Sequence, residues 1–370
     1  MITARADFGG GPQHLFLLLK YLSDPLNIFV ACPDDFPYKK RFELLLGTDK
    51  LLLIPHRKFE LRTLIKLIGF IHSKKIELIH SHGKGAGIYS RILKIITGRT
   101  VIHTFHGLHI DNYNSFAKLF YLSVEKLFAL FTKKFICVSK SESSRVLKAG
   151  ITSPSKIAII NNGVEIGDSP AYKIGPDQIK KILHVTRFDN AKNSLLLIAI
   201  IEELKKIRNL RTNLTGGGSN FRFVVVGKGD DEYEFKNRIA KENLDDYAEM
   251  AGTSENIQNY LRDSFCLIST SRWEGLPLSV MEAMSCGVPV IATNVPGNND
   301  LVEHYQTGFL FDIQKPDEAA GYLLQLMENS DLWKKFSAAS IEKIRKNFTA
   351  DRMARETENL YLEILNKHYK

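Results

Sequence analysis

Short runs of β-branched and aromatic residues alternate along the whole chain with longer stretches whose apolar positions recur at i, i+3 and i+4. The alternation predicts βαβ units and parallel sheets, because a strand covered on both faces reads as a continuous apolar run while its crossover helix shows one stripe. In the first half strands are expected at residues 27–31, 76–81, 101–105, 135–138 and 157–160, and helices at 61–72 and 116–131. The first helix carries Leu61, Leu64, Ile65, Ile68 and Ile71 at helical spacing. In the second half strands are expected at 181–185, 221–226, 266–269 and 289–293, helices at 194–207, 232–242 and 278–286, and a charged helical tail from Asp331.

The turn formers of residues 161–170, followed by Gly175-Pro176, separate the two series. The expected division is a first Rossmann-like domain over 1–165, a second over 166–345, and a C-terminal helix over 346–370 that packs back on the first. The Gly216-Gly-Gly-Ser-Asn220 patch reads as a flexible loop, since no phosphate-cradling helix start follows it.

A length of 370 residues suits two domains, and 44% hydrophobic with 25% charged residues supplies two cores and excludes wholesale disorder. Cys32, Cys137, Cys266 and Cys286 stand far apart without a Cys-x-x-Cys pair, so a disulfide framework or zinc ribbon is not expected and the thiols read as buried and idle. No charge-free apolar run is long enough to cross a membrane, and Met1 to Arg5 does not open like a signal peptide, which points to the cytoplasm.

Charge changes the picture once it is divided. Residues 1–160 hold 24 Lys and Arg against 11 Asp and Glu, whereas 161–370 hold 26 against 30, so the net +9 is +13 in one half and −4 in the other. Such asymmetry suits an anionic partner for the first half: nucleic acid, acidic lipid headgroups or a phosphorylated substrate. The lysine-flanked helices 61–72 and 116–131 read either as membrane-surface helices or as core-packing helices of the sheet, and core packing is the expectation.

Candidate chemistry clusters at strand ends. Gly9-Gly10-Gly11 turns a short first strand, residues 2–6, into a helix, where backbone N–H groups can meet phosphate or sugar oxygens. That strand reads as an edge strand, and its shortness implies a natural start upstream. Arg187 and Lys192 follow a strand end and suit a diphosphate. Gly227-Lys-Gly229 also follows a strand, but a third fingerprint glycine would fall on Glu232, so a nicotinamide site is not expected. Glu274 precedes the Gly275-Leu-Pro277 turn and Glu282 lies inside the helix beginning at Leu278-Ser279, with an anion site at the helix start between them. His80 and His82 are read as facing opposite sides of their strand. His103, His106 and His109 run from strand into loop, so no metal site is expected and His106 is the functional candidate.

Ser271-Arg-Trp-Glu274-Gly-Leu-Pro, Glu282-Ala-Met and Gly287-Val-Pro-Val-Ile-Ala292 resemble the E-x7-E signature of the retaining glycosyltransferases of family 4, whose GT-B fold sets two Rossmann-like domains across a cleft. Gly9 to Gly11, Thr104-Phe-His106, Asn162-Gly-Val164, Arg187 with Lys192, and Gly227-Lys-Gly229 are similar to the family's weaker motifs. The resemblance implies that Glu282 binds the donor ribose and Glu274 contacts the transferred sugar. It implies that Arg187 and Lys192 neutralise the departing diphosphate with help from the amides of Gly10 and Gly11, and that His106 stands near the donor sugar. Gly227, Gly275, Leu278 and Ser279 would complete the donor contacts, with no metal or other cofactor.

The chain departs from the family at Thr186, where glycine is usual, and in an expected long loop at 211–220. The implied partners are a nucleotide sugar, a saccharide or polyprenyl-diphosphate-linked acceptor and an anionic membrane surface, without nucleic acid. The implied setting is cell-surface polysaccharide synthesis by a cytoplasmic or peripheral membrane protein. The rivals are a GT-B sugar-nucleotide epimerase and a non-catalytic nucleic-acid binder.

Overall fold

The computed structural model describes every residue except 24–26, 109, 111–112, 168–178, 216–220 and 367–370. His109, Gly175-Pro176 and the 216–220 patch therefore lie outside the described residues. The chain divides into two compact units, Met1–Gly163 with Ala350–Lys370, and Val164–Thr349.

The first unit runs β1 (Ile2–Thr3), α1 (Gly10–Tyr21), β2 (Val30–Cys32), α2 (Tyr38–Leu46), β3 (Leu51–Leu53), α3 (Leu61–Ser73), β4 (Leu78–His82), α4 (Gly83–Thr97), β5 (Thr100–Thr104), α5 (Ser115–Leu130), β6 (Lys134–Cys137), α6 (Lys140–Lys148) and β7 (Ile157–Ile159). Its parallel sheet has the order β3-β2-β1-β4-β5-β6-β7. The opening strand is thus not an edge. Ile2 pairs with Ala31 on one side and Ser81 on the other, in the interior of the sheet, where two residues suffice because both neighbours supply the ladder.

The second unit runs β8 (Lys180–Val185), α7 (Leu195–Thr215), β9 (Phe221–Val226), α8 (Glu232–Lys241), β10 (Ala248–Gly252), α9 (Ile257–Arg262), β11 (Cys266–Ser269), α10 (Leu278–Ser285), β12 (Val290–Thr293), α11 (Asn298–Leu301), β13 (Gly308–Phe311), α12 (Pro316–Glu328) and α13 (Ser330–Asn347). Its order is β10-β9-β8-β11-β12-β13, also parallel. Phe223, Val225, Ile268 and Ile291 pack with Leu197, Ile201, Leu323 and Trp333 of the covering helices in one apolar cluster. The last helix, α14 (Ala350–Asn366), returns to the first unit, where Met353, Ala354, Tyr361 and Ile364 pack with Leu17 and Leu18 of α1.

Three local expectations are corrected. Strand 27–31 begins only at Val30. Helix 194–207 continues to Thr215, so 211–215 is helical backbone rather than loop. The apolar stripes of α3 and α5 are only partly core. In α3 the buried residues include Leu64, Leu67 and Ile71 while Leu61 and Ile65 are exposed, and α5 buries Glu125 and Ala129 while exposing Phe116, Leu119 and Phe120. All four cysteines are buried free thiols.

Candidate active site

In a doubly wound sheet the strand order reverses once, and ligands gather outside the carboxyl ends of the strands there. In the second unit the reversal lies between β8 and β11. The segments leaving β8, β9, β11 and β12 bring together the predicted residues of that unit.

Arg187 and Lys192 leave β8 on a loop organised by Asp189. Its carboxylate accepts the Arg187 Nε–H at 2.6 Å and the Lys192 backbone N–H at 3.0 Å, so one acid fixes both cations. Phe188 between them has a positive φ of 34° and a fully buried ring, which turns the neighbouring Arg187 outward. Thr186 stands in for the family's glycine by hydrogen bonding locally: its Oγ1 lies 2.5 Å from Ser194 Oγ and accepts the Phe188 N–H at 3.1 Å. Gly227 and Gly229 lie against this loop so closely that a Cβ on either would collide with a backbone carbonyl, of Thr186 or Arg187 respectively. Gly227 therefore serves the packing of two loops, and sequence reasoning gave it a donor role without seeing that constraint.

Lys192 Nζ reaches back 2.7 Å to Glu274 Oε1, and Ser271 Oγ donates to the same oxygen at 2.7 Å. The backbone is anchored as well. Glu274 N–H donates to Pro296 O at 3.1 Å, Arg272 N–H to Ala191 O at 2.8 Å and Thr293 Oγ1 to Ser271 O at 2.6 Å. Beyond the buried Gly275 turn, α10 begins after Pro277 without a side-chain cap, so the amides of Leu278, Ser279 and Val280 carry the unsatisfied positive end of the helix. Glu282 lies one turn in and is buried, as is nearly every other residue of α10.

In the first unit the reversal lies between β1 and β4. Gly10 and Gly11 open α1, and the nearest side-chain atom a Cβ on Gly11 would meet is His106 Cδ2, at 4.0 Å. His82 Nδ1 lies 3.1 Å from His106 Nε2, and the His14 ring stands edge-on to that of His106 at 4.5 Å. His80 and His82 do not face opposite sides. Side chains repeat every second residue along a strand, so both point to one face, with ring centroids 4.0 Å apart. His14 Nδ1 bonds Asn162 Oδ1 at 2.9 Å, and burial lowers the His14 pKa to about 4. Burial likewise holds His80, His82 and His103 well below the usual histidine range, so these rings stay neutral near pH 7. His14, His82 and His106 bring ring nitrogens within 4.8 Å of one another, a grouping of donor type able to hold a metal ion that the strand-facing error concealed.

His106 sits at φ 57°, followed by Gly107 at φ 105°. The turn is held by the buried Glu142 carboxylate, which accepts N–H groups from Gly107 and, at 2.7 Å, from Val138. Ser139 caps α6 and accepts the Glu142 N–H at 3.0 Å. In the sequence, the Ser139-x-x-Glu142 spacing of a capping box is the signal that marks Glu142.

Two family profiles match the chain: "Glycosyltransferase Family 4" over residues 8–168 and "Glycosyl transferases group 1" over residues 173–343. An Escherichia coli UDP-Gal:alpha-D-GlcNAc-diphosphoundecaprenol alpha-1,3-galactosyltransferase is 29% identical over 323 residues, covering 83% of this chain and 81% of its own. The E. coli O-antigen biosynthesis glycosyltransferase WbnH is 25% identical, covering 87% and 88%. The crystal structure of Anabaena HepE in complex with UDP superposes with a TM-score of 0.80 at 18% identity over 98% of both chains. With two Rossmann-like sheets and these motifs in one chain, the protein belongs to the glycosyltransferases of family 4 and has the GT-B fold.

Proposed function

We propose that the chain moves a sugar, with retention of anomeric configuration and without a metal, from a nucleotide-sugar donor to a saccharide or polyprenyl-diphosphate-linked acceptor in cell-surface glycan synthesis. The observation that carries the reading is the grouping at the β8–β11 reversal of Arg187, the Lys192–Glu274 pair and the uncapped start of α10. Cleaving the bond to diphosphate through an oxocarbenium-like state requires charge neutralised on the leaving group more than a strong nucleophile. Arg187, Lys192 and the amides of Leu278 and Ser279 supply that neutralisation. Glu274 takes the transferred sugar and Glu282 the ribose, while Gly10, Gly11 and His106 keep the roles that the resemblance implies.

The acceptor class rests on the E. coli relative, whose name specifies a diphosphoundecaprenol-linked sugar, and on the +13 charge of residues 1–160. That surplus also favours peripheral attachment to an anionic inner-membrane surface, and among the described residues no helix is long and apolar enough to cross a membrane. The test is a thermal-shift panel of nucleotide sugars, followed by NMR of the product formed on a polyprenyl-diphosphate-linked saccharide. An α-linked product from an α-donor, formed in the presence of a chelator, is expected. An inverted linkage or strict dependence on added metal overturns the mechanism, and conversion of the donor without acceptor into the epimeric nucleotide sugar, rather than into nucleoside diphosphate and free sugar, replaces it by epimerisation.

A further inference from the structure

Helix α5 presents its largest apolar side chains to solvent. Phe116, Leu119, Phe120, Leu127 and Leu130 are between 56% and 80% exposed. Their spacing of i, i+3, i+4, i+11 and i+14 puts them on one side of the helix. A core-facing helix would bury that stripe; α5 instead turns Glu125 and Ala129 inward. Its neighbours behave alike. Arg91 of α4 pairs with Glu125 at 3.2 Å, joining α4 to α5, and Tyr89 of α4 accepts the N–H of Glu60 at the start of α3 at 2.8 Å. On these adjoining helices Ile95 and Ile96 of α4, and Leu61 and Ile65 of α3, are exposed too.

Within these three helices the exposed charge has one sign. Helices α3, α4 and α5 carry seven Lys and Arg and a single carboxylate, Glu125, which is buried against Arg91. A second copy of the same face would set these cations against each other. An anionic bilayer would accept the apolar stripe among its acyl chains while Lys118 and Lys126 extend to its headgroups. We propose that α5 is a membrane-insertion helix, entering the interface of an anionic bilayer along the Phe116–Leu130 stripe. The proposal deepens the peripheral attachment argued above and rests on it for the attracting charge, but it assigns the binding to burial of named side chains.

The test uses the full chain with vesicles of phosphatidylcholine alone or mixed with phosphatidylglycerol, at low and high salt. The wild type should sediment with the mixed vesicles and keep part of its binding at high salt. The variant carrying Phe116→Ser, Leu119→Ser and Phe120→Ser should partition at least tenfold less at unchanged far-ultraviolet circular dichroism. In Phe120→Trp, emission in excess of the wild type should shift to the blue on mixed vesicles and be quenched by brominated acyl chains. Equal partitioning of the triple variant, or an unshifted Trp on bound vesicles, overturns insertion in favour of charge alone. A wild-type dimer that the triple variant disperses, without vesicle binding, assigns the face to a second copy and also overturns it. Transfer to a water-soluble acceptor should be unchanged in the triple variant; binding without any transfer by the wild type would sink the transferase reading and leave insertion standing.

Discussion

The Lys192 ammonium lies 2.7 Å from the Glu274 carboxylate across 82 residues of sequence, with both side chains largely shielded from water. The pair joins the loops that leave two adjacent strands, β8 and β11. It gives the site a defined charge arrangement, with Arg187 held by Asp189 and Lys192 by Glu274. On the proposed reading, a diphosphate would meet two already oriented cations, which lowers the ordering cost of binding.

Replacing Arg187 or Lys192 by Ala should weaken binding of the nucleoside diphosphate and leave that of the uncharged nucleoside unchanged. A lost charge-assisted hydrogen bond costs about 1.5–3 kcal/mol, so a roughly 10- to 150-fold rise in Kd is expected by calorimetry. Diphosphate affinity equal to wild type in both variants would assign these residues to the loop alone.

Gly297 packs directly against the backbone and Cβ of Glu274. It adopts φ 89°, and a Cβ there would stand 2.6 Å from Glu274 Cβ and 2.9 Å from its carbonyl carbon. Gly297→Ala must therefore both strain its own backbone, at about 1–2 kcal/mol, and push Glu274 aside. The expected result is a folded protein with transfer reduced at least tenfold and donor diphosphate binding nearly intact. Wild-type turnover would show that the Glu274 position is not critical.

Much of this arrangement could be read in the sequence because β-branched runs and turn residues are local signals. Strands 221–226 and 266–269 fall at the predicted residues, and α10 and its preceding turn are nearly so. What escaped was decided by tertiary contact. Helix α4 opens Gly83-Lys-Gly85-Ala-Gly87, a sequence of poor helix propensity. Its glycines answer a tertiary contact, since a Cβ on Gly85 would meet the Cβ of Ala4, just past β1, at 2.9 Å. Strand β3 was missed because Leu51–Leu53 is a three-residue strand whose register is fixed only by pairing with β2. The exposed stripe of α5 has the same periodicity as a core stripe, so pattern alone could not say which way it faces.

Glu142 supplies a prediction about the first unit. Glu142→Gln keeps one acceptor oxygen but sets an NH2 against one of the N–H donors of Gly107 and Val138. Leaving a buried donor unsatisfied costs about 1–3 kcal/mol, which urea denaturation should register as a lower midpoint. Because Gly107 adjoins His106, kcat should fall as well, with KM for the donor little changed. Unaltered stability would mean that the two amides find other acceptors.

Acid should unfold both units through their buried histidines. Burial lowers His14 in the first unit and His184 in the second from 6.5 to about 4, the latter despite its hydrogen bond with Ile268 O. A folded pKa below the unfolded one means that the unfolded chain takes up the proton first. Stability is therefore full above pH 6.5, and it declines as pH falls from there towards 4. In that window each such histidine contributes a slope of about 1.4 kcal/mol per pH unit. His80, His82 and His103 are shifted in the same direction, so the first unit, with four lowered rings against His184 and the less buried His304 of the second, should lose stability more steeply. Calorimetric scans at successive pH values check this, with the first unit's transition moving down earlier than the second's. His14→Gln, which keeps a side-chain donor for Asn162 Oδ1, should flatten the acid slope by about one proton. A melting temperature constant from pH 7 to 5 would show that these rings are already protonated in the fold, or that acid is taken up elsewhere in both states.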